Sequence, residues 1–382
     1  MHPMVKPALR RAWRERQTVQ FGVTPAHAVA VGPVDTATSS LLELLDGTRG
    51  LPLLREEARA RGLPEGQVDA LVKRLAKAGL LDDPTAGGPA AEALRKRAGA
   101  LDRLRPDLAS LSVVHPEPGA GIQRLAARRA MRVQVRGAGR VGATVAGVLS
   151  ASGVGRVEVL DGGCTQPWDV APGGLPTEAV GERRDAAARQ LVRRSAPDRP
   201  PRAAESATAS AGAEPGLSLV VVAPRDGLAA YVPEPAAAED WITTGTPHLY
   251  SGVVEASGVV GPLVLPGGTA CAGCLELRRA ERDPGRARLL AQWRSGGRRS
   301  AAPACDIALA TAVAGMTAAH ALSFLDGELP ASTGARWETS LPLLDWRSET
   351  IAPHLDCLCR AAGKTERGHT SGFGPSHETM VG

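Results

Sequence analysis

The chain has 382 residues, 45 Lys+Arg against 40 Asp+Glu for a formal net charge of +5, and 43% hydrophobic residues with only 3% aromatics. Such a length calls for two domains, at least one with a sizeable and largely aliphatic core. The arginines are scattered rather than gathered in a block, which argues against a nucleic-acid function and leaves an acidic partner open.

The start, MHPMVKPALRRAWRER, lacks the apolar core of a signal peptide, so a cytoplasmic protein is expected. Residues 18–23 and 27–31 alternate apolar and polar around Thr24-Pro25-Ala26, which predicts a hairpin. Three helices should follow: one capped near Asp35 or Thr36 and ending at Asp46-Gly47, one over 51–61, and one from Pro64 to Ala78. In the third, Val68, Leu71, Val72 and Leu75 share a face, and Gly79-Leu80-Leu81 suggests a short closing strand. A hairpin with three helices resembles the winged-helix, PqqD-like clamp that binds leader peptides in ribosomal natural-product maturation. A DNA-binding winged helix or a purely structural cap would share that pattern. Arg10, Arg11, Arg14 and Arg16 suit DNA, but they are expected to precede the folded unit and the third helix is not basic. Residues 1–84 are therefore read as a first domain. Residues 85–118, rich in Gly, Pro and Ala, are read as a linker with one helical segment at 91–104.

From 119 onward the chain reads as an α/β domain, a doubly wound, Rossmann-like and mostly parallel sheet. Its centre is MRVQVRGAGRVGATVAGVLSASGVGRVEVLD, residues 131–161. A strand runs into Gly137-Ala138-Gly139-Arg140-Val141-Gly142, a small-residue helix follows, and a second strand ends in Asp161. Glycines let backbone N–H groups approach phosphates, the helix N-terminus favours their charge, and the carboxylate can accept from ribose hydroxyls. Next come a Gly/Pro-dense loop at 162–176, a helix over 178–194 and the apolar run 217–222 of a strand buried on both faces. A helix is predicted over 236–244 and strands at 247–254, 259–266, 335–340 and 346–350. The longest apolar stretch, 307–325, is capped by Asp306, contains His320 and is built from Ala and Gly. It reads as a buried core or homodimer helix rather than a membrane span. Residues 365–382 are Gly/Ser/His-rich and read as a disordered tail.

Six cysteines in a chain of this kind point to metal or reactive thiols before disulfides. Cys271-Ala272-Gly273-Cys274 and Cys357-Leu358-Cys359 supply two close pairs, as a tetrahedral zinc site requires. The second pair has one intervening residue rather than two, which leaves His354 as a substitute for one thiolate.

From about Gly121 to Cys359 the chain resembles the ThiF/MoeB family, bacterial relatives of ubiquitin-activating enzymes. Gln123-Arg124-Leu125, the glycine turn, Gly153-Val154-Gly155, Asp161, residues 181–184 and the split cysteine pairs carry the resemblance in order. It implies adenylation of a peptide or small carrier protein with ATP and Mg2+, beside a structural Zn2+. Carried over, Gly137, Gly139 and Gly142 would face the phosphates and Asp161 the ribose. Arg184 would stand in for a phosphate-binding lysine, and Asp226 lies within a residue of a magnesium-linked aspartate. Cys271, Cys274, Cys357 and Cys359 would hold zinc, and Cys305 falls where some relatives carry a sulfur-transfer cysteine. Where the family has Asn-Leu-x-Arg-Gln, this chain has Asp169-Val170-Ala171-Pro172-Gly173, so a charge-stabilising arginine is replaced by proline. Two functions stay open: an active adenylyltransferase, or a non-catalytic partner that presents a leader peptide to a separate modifying enzyme. A nicotinamide oxidoreductase would share only the glycine turn and Asp161.

Overall fold

A computed structural model describes residues 1–198, 216–295 and 302–359. The chain divides into two compact units: a first, chiefly Met1–Met131, and a second made of Arg132–Leu149, Val157–Arg194 and the described chain from Gly216 onward. The expected tail at 365–382 and the last five residues of the expected domain 119–364 lie outside the described residues.

In the first unit, β3 (Thr18–Phe21) pairs antiparallel with β4 (Val29–Val31), as the alternation predicts, because Val19, Phe21 and Val31 turn inward. Three helices complete the winged-helix arrangement: Thr36–Leu44, Leu51–Ala60 and Gln67–Lys77. Asp35 caps the first by accepting from the Thr38 amide at 2.7 Å. Val68, Leu71, Val72 and Leu75 bury the inner face of the third. The closing strand exists as β5 (Leu81–Asp82), paired with β1 (Met4–Val5).

One expectation is corrected. The arginines at 10–16 do not precede the folded unit; they lie in and beside β2 (Arg11–Glu15), which extends the sheet to the order β2-β3-β4. All five β2 residues are exposed, so no buried face gave the strand an apolar period in the sequence.

The segment 85–118, read as a linker with one helical segment at 91–104, folds into helices Gly88–Arg95, Ala98–Arg103 and Arg105–Val114. Ala91, Leu94, Leu104 and Leu111 pack with Ile122 and Leu125 of helix Ala120–Arg128, burial that the Gly and Pro content concealed. Asp82 fastens this layer, accepting from the Gly119 amide at 2.7 Å and the Ser112 hydroxyl at 2.5 Å.

The second unit is built on a seven-stranded sheet in the order β12-β11-β10-β9-β8-β6-β7. Its strands are β6 (Arg132–Arg136), β7 (Arg156–Leu160), β8 (Leu219–Val222), β9 (His248–Val254), β10 (Ser257–Val264), β11 (Ala335–Ser340) and β12 (Arg347–Thr350). β6, β8 and β9 run parallel, and β10 to β12 continue as antiparallel hairpins. Because β7 flanks β6 on one side and β8 on the other, the chain reverses its direction of progress at the end of β6, where such sheets open a crevice. Helix Arg140–Ala151 leaves that point. Helix Ile307–Leu325, capped by Asp306, packs on β9 and β10 through Leu309, Val313, Thr317 and Ala321, as a core helix does. It is the one described helix long and apolar enough to cross a membrane, and one of its faces is spent on the sheet.

Candidate functional site

The glycine turn works as its sequence demands. Gly137 sits at φ +115°, and a Cβ there would stand 2.0 Å from the Ala223 carbonyl oxygen. A Cβ on Gly142 would meet the Gly137 oxygen at 2.1 Å, and one on Gly139 would press on Arg225 at 3.3 Å. Gly137 and Gly142 thus seat the turn between β6 and β8, and only the absence of side chains permits it.

At the mouth of this turn opens a cavity of about 1130 Å³, lined among others by Gly137, Asp161, Trp168, Arg184, Arg225 and Asp226. The sequence-predicted residues are therefore gathered in one place, with Gly139 and Gly142 behind the wall. Asp161 is fully engaged: Oδ2 accepts from the Ala138 amide at 2.7 Å and Arg184 Nε at 3.1 Å, while Oδ1 accepts from the Gly162 amide at 2.6 Å and Arg184 Nη2 at 3.2 Å. Arg184 also donates to the carbonyls of Cys164, at 2.6 Å, and Gly162. The guanidinium expected to meet phosphate and the carboxylate expected to meet ribose hold each other.

Asp169 is 2% exposed and accepts from Arg225 Nε at 2.5 Å. Arg225 lies over the Trp168 ring at 5.8 Å, and Trp168 is part of the cavity wall. Pro172 is exposed and does not line the cavity. Asp226 accepts from the Leu228 amide at 3.1 Å and caps helix Gly227–Tyr231. Arg136, Arg184 and Arg225 around the cavity are matched by Asp161, Asp185 and Asp226, so the wall offers no surplus positive charge to a polyphosphate. Cys305 stands apart: its carbonyl accepts from Arg140 at 2.7 Å, and burial pushes its thiol up, away from a nucleophilic thiolate.

The second site is the cysteine cluster. Cys271, Cys274, Cys357 and Cys359 bring their sulfurs within 4.8 Å of one another, with Cys271–Cys357 and Cys274–Cys359 at 3.5 Å and Cys271–Cys274 at 4.0 Å. Four thiolates about 2.3 Å from one zinc ion lie about 3.8 Å apart at tetrahedral angles, so the set fits that ion. Gly273 packs close beneath the cluster: a Cβ there would stand 3.2 Å from the Cys357 sulfur and 3.3 Å from that of Cys271. The Cys274 thiol is held below the ordinary thiol range by its hydrogen bond with Cys271 and by the His354 amide, while that same bond and burial push Cys271 up. His354 does not replace a thiolate: its Nε2 meets Glu281 at 2.8 Å and its Nδ1 accepts from the Asp356 amide at 3.1 Å.

Sequence reasoning missed the pairing of Arg225 with Asp169, 56 residues apart, for which no local pattern exists.

The fold has clear relatives among solved structures. E. coli MccB bound to ATP superposes with a TM-score of 0.65 at 14% identity, covering 94% of this chain and 99% of that one. The microcin C7 biosynthetic enzyme MccB in complex with N-formylated MccA gives 0.64 at 13% identity, covering 94% and 99%. The heterocyclase TruD gives 0.59 at 16% identity, covering 95% of this chain and 43% of its own length. No curated protein sequence matches the chain. The model of the ThiF family matches residues 116–361, well over half of the sequence, and the protein belongs to the ThiF family.

Proposed function

We propose that this protein is a peptide-binding member of the ThiF family that serves the maturation of a ribosomally made peptide by presenting it to a separate modifying enzyme, without adenylating it. The observation that carries the reading is the closed pair of Arg184 and Asp161. Every hydrogen-bonding position of that carboxylate is filled from within the chain. A nucleotide would have to displace charge-assisted bonds at both its ribose and its phosphate positions. Pro172, in place of the family arginine, and the balanced charge of the cavity wall point the same way.

The winged-helix fold of the first unit supports peptide binding, as does the likeness to MccB, which has been solved with its peptide MccA. The four cysteines would hold Zn2+ as a structural clamp, because four thiolates leave no open coordination position for chemistry. Helix Ile307–Leu325 leaves Thr311, Ala312, Gly315 and Ala319 exposed, and two chains would pair along that face.

A second reading, ATP-dependent adenylation of the peptide or a small carrier protein with Mg2+ near Asp226, draws on a different observation. The glycine turn keeps its close backbone packing, and the cavity before it is open and wide. ATP–pyrophosphate exchange by the full chain, with Mg2+ and candidate leader-bearing peptides, separates the two. Background exchange supports the presenting role, and peptide-dependent exchange overturns it in favour of adenylation.

A further inference from the structure

A second cavity, of about 1360 Å³, opens beside the cysteine cluster and shares no lining residue with the one before the glycine turn. It exceeds the roughly 300–1,000 Å³ of pockets that hold small molecules. Ile242, Leu277 and Leu290 contribute apolar wall. Leu290 belongs to helix Arg286–Ser295, which buries none of its ten residues and leaves Leu289 and Trp293 at 40% and 48% exposure. A bidentate pair of Arg286 with Glu276, at 2.9 and 3.0 Å, holds its first turn to helix Ala272–Arg282. Helices in folded proteins owe most of their stability to the residues they bury, so this one is short of a partner.

Tyr250, also on the lining, is 2% exposed, yet its hydroxyl finds no hydrogen-bond partner among the described residues. Burial pushes this phenol up, so it stays a neutral donor. A hydroxyl closed off from bulk water and left unpaired is costly, and a ligand in the cavity would relieve that cost. The free charges are acidic. Glu239 makes no ion pair among the described residues, and Asp356 reaches His354 at 3.9 Å. Arg286, the one cation among the described lining residues, is already taken by Glu276. Zinc held by four thiolates would leave the adjoining wall negative as well.

We infer that this cavity holds an apolar peptide segment carrying a basic side chain. Its aliphatic residues lie against Ile242, Leu277 and Leu290, a backbone carbonyl accepts from Tyr250, and its Lys or Arg meets Glu239 and Asp356. Charge complementarity selects this occupant, because a fatty acid or other acidic amphiphile would bring its carboxylate to an acidic rim. The inference rests on the reading of the protein as a peptide presenter and adds a contact for that peptide in the second unit.

The test uses the full, zinc-loaded chain and three fluorescent probes: the peptide Leu-Ala-Leu-Ala-Leu-Lys-Lys, its counterpart ending in Glu-Glu, and a fluorescent fatty acid. Anisotropy should show the basic peptide binding at least tenfold more tightly than either of the others. Glu239→Lys should weaken it at least tenfold, and Ala280→Trp with Ala287→Trp, which fill the cavity from two exposed positions, should abolish binding. Unchanged urea midpoints and zinc content would show that these variants fold. Tyr250→Phe, which keeps the ring and removes the hydroxyl, should weaken binding while leaving the preference for the basic peptide. Equal binding of the two peptides, tighter binding of the fatty acid, no binding of the basic peptide, or undiminished binding by the filled variant would each overturn the proposal. Peptide-dependent pyrophosphate exchange would overturn the presenting role without moving these affinities, so the two ideas fail separately.

Discussion

Arg184 lays Nε and Nη2 against the two oxygens of Asp161, at 3.1 Å and 3.2 Å, across the floor of the cavity that the glycine turn opens. Twenty-three residues separate them, yet the β7 end and the start of helix Arg184–Ser195 bring them side by side. The pair determines what the cavity can accept.

Removing the cation should therefore help rather than harm a nucleotide. Arg184→Met leaves Asp161 with its two backbone donors and one vacated position on each oxygen. Hydrogen bonds to charged groups contribute about 1.5–3 kcal/mol, so AMP should bind roughly tenfold more tightly than to the unchanged protein in calorimetry. Weaker binding in the variant would make Arg184 a phosphate ligand.

The glycine turn should tolerate no side chain. Gly137→Ala would place a methyl group 2.0 Å from the Ala223 oxygen on a backbone at φ +115°, and the cost should be about 3 kcal/mol or more. Urea unfolding reads it directly. Gly162→Ala, where nothing lies within 4 Å of the added Cβ, is the control and should move the midpoint little.

Metal content distinguishes the thiolates from their neighbour. Elemental analysis should find about one zinc per chain. Cys274→Ser or Cys359→Ser should lose it, whereas His354→Ala should retain it, because that imidazole faces Glu281 and only its backbone amide, at 3.4 Å, meets a sulfur. Loss of zinc in His354→Ala with retention in Cys359→Ser would reverse the ligand set.

Acid should act first through buried histidine. His248 is fully buried on β9 between Trp241 and Tyr250, and burial lowers it to about 4. Its folded value lies below the unfolded one, so the unfolded chain binds the extra proton between about pH 4 and 6.5. Stability is full above that window and falls as pH drops through it, by an amount on the order of 3 kcal/mol. His320, also lowered by burial, adds in the same direction. Urea midpoints at pH 7 and pH 5 should differ less in His248→Gln than in the unchanged protein.

Features decided within a few neighbouring residues were legible in the sequence. The strand, glycine turn, helix and acid of 131–161, the Asp35 and Asp306 caps and the two cysteine knuckles each have a local physical signature. β2 was illegible because a strand exposed on both faces has no apolar period. Helix Arg286–Ser295 buries no residue and likewise gave no signal. Within 85–118 the helical segment at 91–104 was legible, but its break into two helices and the third helix at 105–114 were hidden because Gly and Pro at their caps looked like linker. Arg184 and Asp161 were both singled out, but as separate contacts to a nucleotide. Their preference for each other is a long-range fact that spacing does not encode.

The cysteine knuckles have a practical consequence for the length of the chain. Cys274 and Cys359 meet at 3.5 Å across 85 residues, so a zinc ion held by the four cysteines would close a ring that begins in the middle of the second unit. Cutting the chain anywhere between β12 and Cys357 would do more than trim an end. It would strand the sulfurs of Cys271 and Cys274 and, with zinc bound, would release the whole enclosed span to a larger set of unfolded conformations, a loss that rises only slowly with ring size but begins at several RT.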